Sequence, residues 1–430
     1  LRSKLVLRGA LWAYERLGGV QREDFHEVWS KEQLAEREPL IERTRLNGAV
    51  VYPEFLTDDA RLTVATARSA IDHGAVVSTY LRAVDIRREG EFIVNAVSTL
   101  PGDRDEMTIK ARAVINAAGP WVDQVCGLEG DQQSRLALSR GVHLVFDHAD
   151  LPVRNTVVMR THDSRRIFAV PLGQYTYIGT TDDYHPEFEY WPPVTEQDVD
   201  YLLSSTRRVM PEANLTADRI VSVWSGIRPL VGDGSGRASK ELSRKDEVWT
   251  SPSGLLSVGG GKLSAYRAMA ERVVDTLIDN HAFAARPCST AEVPLPGGAR
   301  VTLAPSLQGV DEVQAERLAR LYGTEAPELA DAVSENGLVA AEVGQAVLHE
   351  GAQRLEDYWV RRSSRAWFDQ GAGLAHLPQA ASAMAALLGW DEARQTAEIQ
   401  NCRDIDRDSR AGFTTGTSDS GDADDVRAAG

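Results

Sequence analysis

The chain has 430 residues, 43% of them hydrophobic and 26% charged, a balance that excludes wholesale disorder. Lys+Arg 47 against Asp+Glu 63 leaves a net charge of −16, which excludes general nucleic-acid binding because phosphate contacts need excess positive charge. No run approaches the ~18 apolar residues of a membrane span, and Cys126, Cys288 and Cys402 form no CxxC pair, so neither a zinc site nor a disulfide framework is predicted, and a reducing, cytoplasmic compartment fits.

In chain order, residue 1 is Leu, which suggests a fragment or an alternative start codon. Residues 1–19 predict an amphipathic helix stopped by Gly18-Gly19. The favoured partner of that helix is its own domain. Leu1, Leu5 and Trp12 beside Arg2, Lys4 and Arg8 also suit a membrane surface. Asp58 or Asp59 can N-cap a helix with apolar positions Ala60, Val64, Ala67 and Ile71, and Gly74 can end it. Strands are predicted at 75–80, 82–88, 91–98 and 111–116. The last runs into a small-residue turn, Ala117-Ala118-Gly119-Pro120-Trp121.

From 139 the texture changes to short strands with turn residues between them: 141–146, 155–159, 166–172, 175–181, 220–230 and 246–250. A helix is predicted over 195–210. The strand 255–258 leads into Gly259-Gly260-Gly261-Lys262 and a helix from about Ser264 to Asp279. Pro294 to Gly298 reads as a linker. Beyond it helices are predicted near 310–322, 325–334, 338–361, 376–388 and 391–402, a separate helical domain. Residues 406–430 read as a disordered tail.

Four features could carry chemistry. The sharpest is the strand–GGGK–helix at 255–279. Its glycines let backbone approach a ligand, its helix N-terminus offers unpaired N–H groups, and Lys262 adds a charge. The Walker spacing GxxxxGK[ST] is absent, and a tight turn with an exposed lysine is the bland alternative. The second is the buried strand ending in NAAGPW (116–121), at the end of a strand where open α/β sheets place ligands. The third is Arg228 in SGIRP (225–229), able to grip a carboxylate or phosphate bidentately; with 41 arginines, a surface ion pair is the default for any one of them. The fourth is His143, on a strand between Val142 and Leu144. A lone strand histidine is more often structural than catalytic.

The segments DDARL (58–62), VINAAGPW (114–121), GVHLVF (141–146), IGTTD (178–182), WSGIRPL (224–230) and VGGGKLSAYR (258–267) occur in this order. As a set they resemble the FAD-dependent, aerobic glycerol-3-phosphate dehydrogenases of the D-amino-acid-oxidase-like flavoprotein group, over nearly all of residues 1–405. The resemblance implies a mixed α+β and α/β fold: an FAD-binding sheet domain (1–138 and 254–290), an inserted antiparallel substrate domain (139–253), a linker (291–298) and an all-helical C-terminal cap (299–405).

The resemblance also implies oxidation of sn-glycerol 3-phosphate to dihydroxyacetone phosphate in glycerol catabolism, with electrons passing to a quinone. By it, His143 takes the hydroxyl proton, its ordinary pKa of ~6.5 suiting neutral pH. Arg228 holds the substrate, Lys262 sits by flavin or substrate, and Arg244 helps with the phosphate. Ala118, Gly119, Trp121, Gly260, Gly261, Lys262, Leu263 and Ser264 line the FAD, and Val84 lies near the adenine. A peripheral membrane contact and a homodimer are further expectations.

One departure stands out. The family's GxGxxG, which binds the FAD pyrophosphate, follows no strand in this sequence, so the chain is expected to be an N-terminally truncated member that holds little FAD alone. A related FAD-dependent amine or amino-acid oxidase, and a non-catalytic remnant without FAD, are the alternatives.

Overall fold

The computed structural model describes residues 4–185, 188–232, 246–298 and 307–413. Its centre is a sheet of mostly long antiparallel strands. Leu136–Asp147 pairs along one side with Ile220–Val231, and along the other with Tyr175–Gly179 and the short Asp183–Tyr184. Arg166–Leu172 and Val157–Arg160 extend the sheet outward. Alternation sends Val142, Leu144 and Phe146 into the core, where they meet Val199, Leu202 and Leu203 of the helix Glu196–Val209. That helix starts at a capping box in which Thr195 and Asp198 satisfy each other's backbone N–H. With one face packed, the other face, carrying His143, is left for a cavity.

A second sheet pairs Asp246–Thr250 with Leu256–Gly260 antiparallel, and Leu256–Gly260 with Ile115–Asn116 parallel. A three-stranded meander, Leu81–Glu89, Glu91–Ser98 and Glu106–Ala111, packs Ile86 and Phe92 against Leu255 beside it. The C-terminal part is helical: Glu312–Tyr322, Ala326–Asn336, Leu338–Leu348, Leu377–Leu388 and Glu392–Arg410 surround two apolar clusters. The architecture is the one expected, a mixed α/β part with an antiparallel sheet followed by a helical domain.

Several local expectations are corrected. Residues 75–80 form no strand; Gly74 stops the helix at φ +90, and Val76 is 93% exposed with no sheet to join. Of the 111–116 run, Ile115–Asn116 pairs with Leu256–Gly260, while Ala111 pairs with Phe92 in the meander. The helix over 338–361 ends at Leu348. A turn through Gly351 at φ +64 and a π-turn over Asp357–Arg362 follow.

The domain limits also move. The central-sheet strand starts at Leu136, ahead of 139, and Asp246–Thr250 hydrogen-bonds into the sheet of Leu256–Gly260, outside the 139–253 unit. Residues 406–410 of the expected tail are the end of a helix whose Cys402, Ile405 and Ser409 are buried, and Phe413 is buried in the core of the central sheet. The rest of the tail lies outside the described residues.

Candidate active site

His143, Arg228 and Trp224 share the open face of the central sheet. Trp224 is the cross-strand partner of His143, and their rings stack with centroids 4.5 Å apart, tilted by 15°. Tyr177 meets the imidazole edge-on at 5.9 Å. Gly179 pairs with His143 on the other side. A Cβ there would lie 2.1 Å from the imidazole Cδ2, so only glycine lets the ring lie flat. Gly141 does the same for Arg228: a Cβ would fall 2.2 Å from its Nη2. The two glycines, Gly141 on the central strand and Gly179 on the strand beside it, cradle the two polar side chains.

Arg228 is braced by donating to Thr180 Oγ1 at 2.8 Å and the Thr181 carbonyl at 3.3 Å, with Asp182 3.6 Å away. Burial, and then the Arg228 guanidinium, push the His143 pKa from 6.5 down to about 3. The imidazole is therefore neutral at physiological pH, and the expectation of a group titrating near 6.5 is corrected. Its Nδ1 is buried with no partner among the described residues, so no neighbour there sets the tautomer.

These residues floor a cavity of about 790 Å³. Residues 56–60, an irregular segment that leads into the helix Asp59–Asp72, form one wall, with the Asp58 and Asp59 carboxylates. Burial, and then Asp58, raise the Asp59 pKa. Burial, with Asp59 and Asp58 adding to it, pushes the Tyr177 phenol up to about 12. Trp121, Phe188 and Tyr190 form another wall, with Trp121 and Phe188 centroids 4.1 Å apart. The helical domain closes the cavity with Arg320, Arg361, Trp367 and Phe368. Arg361 donates to the Tyr190 hydroxyl at 2.6 Å and lies over the Trp191 ring.

The cavity thus collects three sequence-derived candidates, His143, Arg228 and Trp121. The others are elsewhere. Parallel pairing of Ile115–Asn116 with Leu256–Gly260 brings the turn of Ala118 and Gly119 and the turn of Gly260, Gly261 and Lys262 to the same end of a sheet. Lys262, Leu263 and Ser264 are exposed there, ahead of the helix Tyr266–His281. Gly261, at φ +91, has its backbone hard against Met269, whose Cε would be 2.4 Å from a Cβ. Val84 is half-exposed at a register break in the meander. Arg244 lies outside the described residues.

Asp59, Tyr177, Trp224, Arg320, Arg361, Trp367 and Phe368 were not singled out from sequence. Only Asp59 and Trp224 had a signal, as members of DDARL and WSGIRPL.

Small residues at two converging strand ends, with an exposed lysine beside them, are a set whose chemistry fits the flavin side of FAD: the glycines leave room for a ring against the backbone, and a cation suits the negative charge of a reduced flavin. For the pyrophosphate, no GxGxxG follows a strand in the 430 residues.

Residues 5–267 match the family model of FAD dependent oxidoreductases, and residues 288–395 match that of the C-terminal domain of alpha-glycerophosphate oxidase. Aerobic glycerol-3-phosphate dehydrogenase of Staphylococcus aureus (strain MRSA252) is 32% identical over 94% of this chain and 77% of its own length. The Bacillus subtilis (strain 168) protein of the same name is 31% identical over 93% and 77%. Among solved structures, glycerol-3-phosphate dehydrogenase from Bacillus halodurans complexed with FAD is similar at 31% identity and TM-score 0.78, over 89% of this chain and 80% of that one. The chain belongs to the aerobic glycerol-3-phosphate dehydrogenase family of FAD-dependent oxidoreductases.

Proposed function

We propose that the chain serves FAD-dependent oxidation of sn-glycerol 3-phosphate to dihydroxyacetone phosphate, with electrons passed on to a quinone in glycerol catabolism. The observation that carries this reading is the cavity in which a neutral imidazole and a braced guanidinium share one sheet face. FAD, when bound, supplies the two-electron redox chemistry. Ala118, Gly119, Trp121, Gly260, Gly261, Lys262, Leu263 and Ser264 would hold its flavin side, and Val84 would stand toward its adenine.

In this reading Arg228 orients the substrate and polarises the C2 oxygen as a carbonyl develops. The imidazole of His143 receives the C2 hydroxyl proton, which its neutral state allows. A phosphate dianion beside Arg228 would offset the guanidinium's repulsion of an imidazolium and so raise the proton affinity of His143. Arg244 supplements the phosphate contacts. Trp121, Trp224 and Phe368 exclude water around the reacting carbon.

Electron delivery to a quinone calls for contact with a membrane. No helix among the described residues is long and apolar enough to cross one. The helix Lys4–Leu17 exposes Trp12 at 57% and Leu17 at 89% beside Arg8 and Arg16, which supports peripheral attachment at the cytoplasmic face. A homodimer belongs to the same reading.

The test is flavin bleaching. Chain reconstituted with FAD under anaerobic conditions should lose its oxidised flavin absorbance on addition of sn-glycerol 3-phosphate, and keep it with glycine, other amino acids or glycerol. Bleaching by an amino acid and not by the phosphate ester would move the assignment to the amine and amino-acid oxidases.

A further inference from the structure

Three cavity-lining arginines face different electrostatic situations. Arg228 is braced by Thr180, Thr181 and Asp182. Arg361 is shared among Tyr190, Glu356 and Asp357. The Arg320 side chain has no hydrogen bond or ion pair among the described residues. It stands near the end of the helix Glu312–Tyr322, in the helical domain, and keeps an open face to the cavity.

One turn earlier on that helix, Arg317 is fully engaged, donating to Glu342 at 2.6 Å and the Ser363 carbonyl at 2.7 Å. Desolvation along the cavity wall, and then the Arg317 charge, lower the Arg320 pKa, while the residue as a whole keeps solvent-exposed surface. The cation therefore stands in an electropositive spot, open to solvent and to a ligand, with no side-chain partner among the described residues. Asp58 is the first acid to favour its charge, with Glu316 and Glu342 behind it. Asp58 is itself engaged, capping the helix Asp59–Asp72 through the Arg61 N–H and accepting from Ser364.

We propose that Arg320 is a specificity-determining ligand for the phosphate of the substrate, reaching it from the helical domain across the cavity from His143 and Arg228. The inference rests on the function proposed above. A phosphate dianion presents several acceptor oxygens and suits a planar guanidinium. The ligand class this selects is a small phosphate monoester with a neighbouring secondary alcohol; a neutral polyol gains nothing from Arg320. The helical domain then does more than cover the cavity. It contributes a charge that discriminates the phosphorylated substrate from its alcohol.

The cavity carries its own reporter, since Trp121, Trp191, Trp224 and Trp367 line it. The experiment is titration of tryptophan fluorescence in the full 430-residue chain with sn-glycerol 3-phosphate, inorganic phosphate and glycerol. The unaltered chain, Arg320→Met and Arg320→Lys are compared at equal thermal stability. Loss of one charge-assisted contact should weaken glycerol 3-phosphate binding about 10- to 100-fold in Arg320→Met. Inorganic phosphate should weaken in parallel, glycerol should not change, and Arg320→Lys should recover part of the loss.

Unchanged glycerol 3-phosphate affinity in Arg320→Met overturns the inference and leaves the proposed function standing. An equal loss for glycerol overturns it as well, by marking the effect as structural. An unaltered chain that responds to none of the three ligands overturns both readings together.

Discussion

A histidine walled by aromatic rings and a guanidinium is a costly place for a proton. The pKa of His143, about 3 in the folded chain, lies below the ordinary 6.5 of an unfolded one. The unfolded state therefore binds more protons between these values, and folding stability falls as pH drops from about 6.5 toward 3. Stability from this source is fully present above 6.5. His143→Gln should remove the effect, lowering the slope of unfolding free energy against pH by up to ~1.4 kcal/mol per unit in that window. Urea denaturation at a series of pH values measures it. In the FAD-loaded enzyme the same variant should lower turnover ~10²–10⁴-fold, with a smaller effect on substrate binding. A variant matching the parent in rate would make His143 a structural residue. Strand alternation alone predicts the face His143 takes. Its titration is not legible there, because Trp224, Gly179 and Arg228 arrive from other strands.

Among the elements, the helix Asp59–Asp72 shows how the cavity wall is held. DDARL announces its start: the Asp58 side chain accepts from the Arg61 N–H. No residue of the helix is fully buried, so apolar packing does not anchor it. Arginines do. Arg61 bonds Glu350 bidentately at 2.6 and 2.8 Å, and Arg68 bonds Glu325 at 2.7 and 2.6 Å. Both acids belong to the helical domain. The Glu350 side chain is buried, so Glu350→Gln should strand the Arg61 charge and cost about 3–5 kcal/mol of stability. Glu325→Gln, at a more open pair, should cost about 1 kcal/mol or less. Chemical denaturation of both variants decides, and equal small losses would refute the ranking. The helical spacing of Ala60, Val64, Ala67 and Ile71 predicts this helix, yet its anchors are arginines whose partners lie far along the chain.

At the scale of the molecule, the cavity belongs to two domains at once. The sheet supplies His143 and Arg228, and the helical domain supplies Arg320, Trp367 and Phe368. The turns of Ala118-Gly119 and Gly260–Lys262, assigned to the flavin in the proposed function, converge at the end of a different sheet. The residues present fit one side of FAD, and the 430 residues contain no GxGxxG for its pyrophosphate. Chain purified as these 430 residues should therefore retain little FAD after gel filtration, read as the ratio of 450 nm to protein absorbance. Stoichiometric flavin would show that other residues take over the pyrophosphate.

Local sequence determined much of this. Period-2 runs such as GVHLVF place one face in a core, caps such as Thr195 and Asp391 start helices, and the ordered motif set carries the family. These are short-range properties, set by backbone sterics and by which side chains avoid water. Only tertiary structure decided that Gly141 and Gly179 make room for Arg228 and His143, that His143 is held neutral, that residues 406–410 stay helical over a buried face, and that Arg320 lines the cavity of His143 and Arg228. Each depends on side chains brought together from distant segments, where burial and neighbouring charge, rather than local propensity, set the outcome.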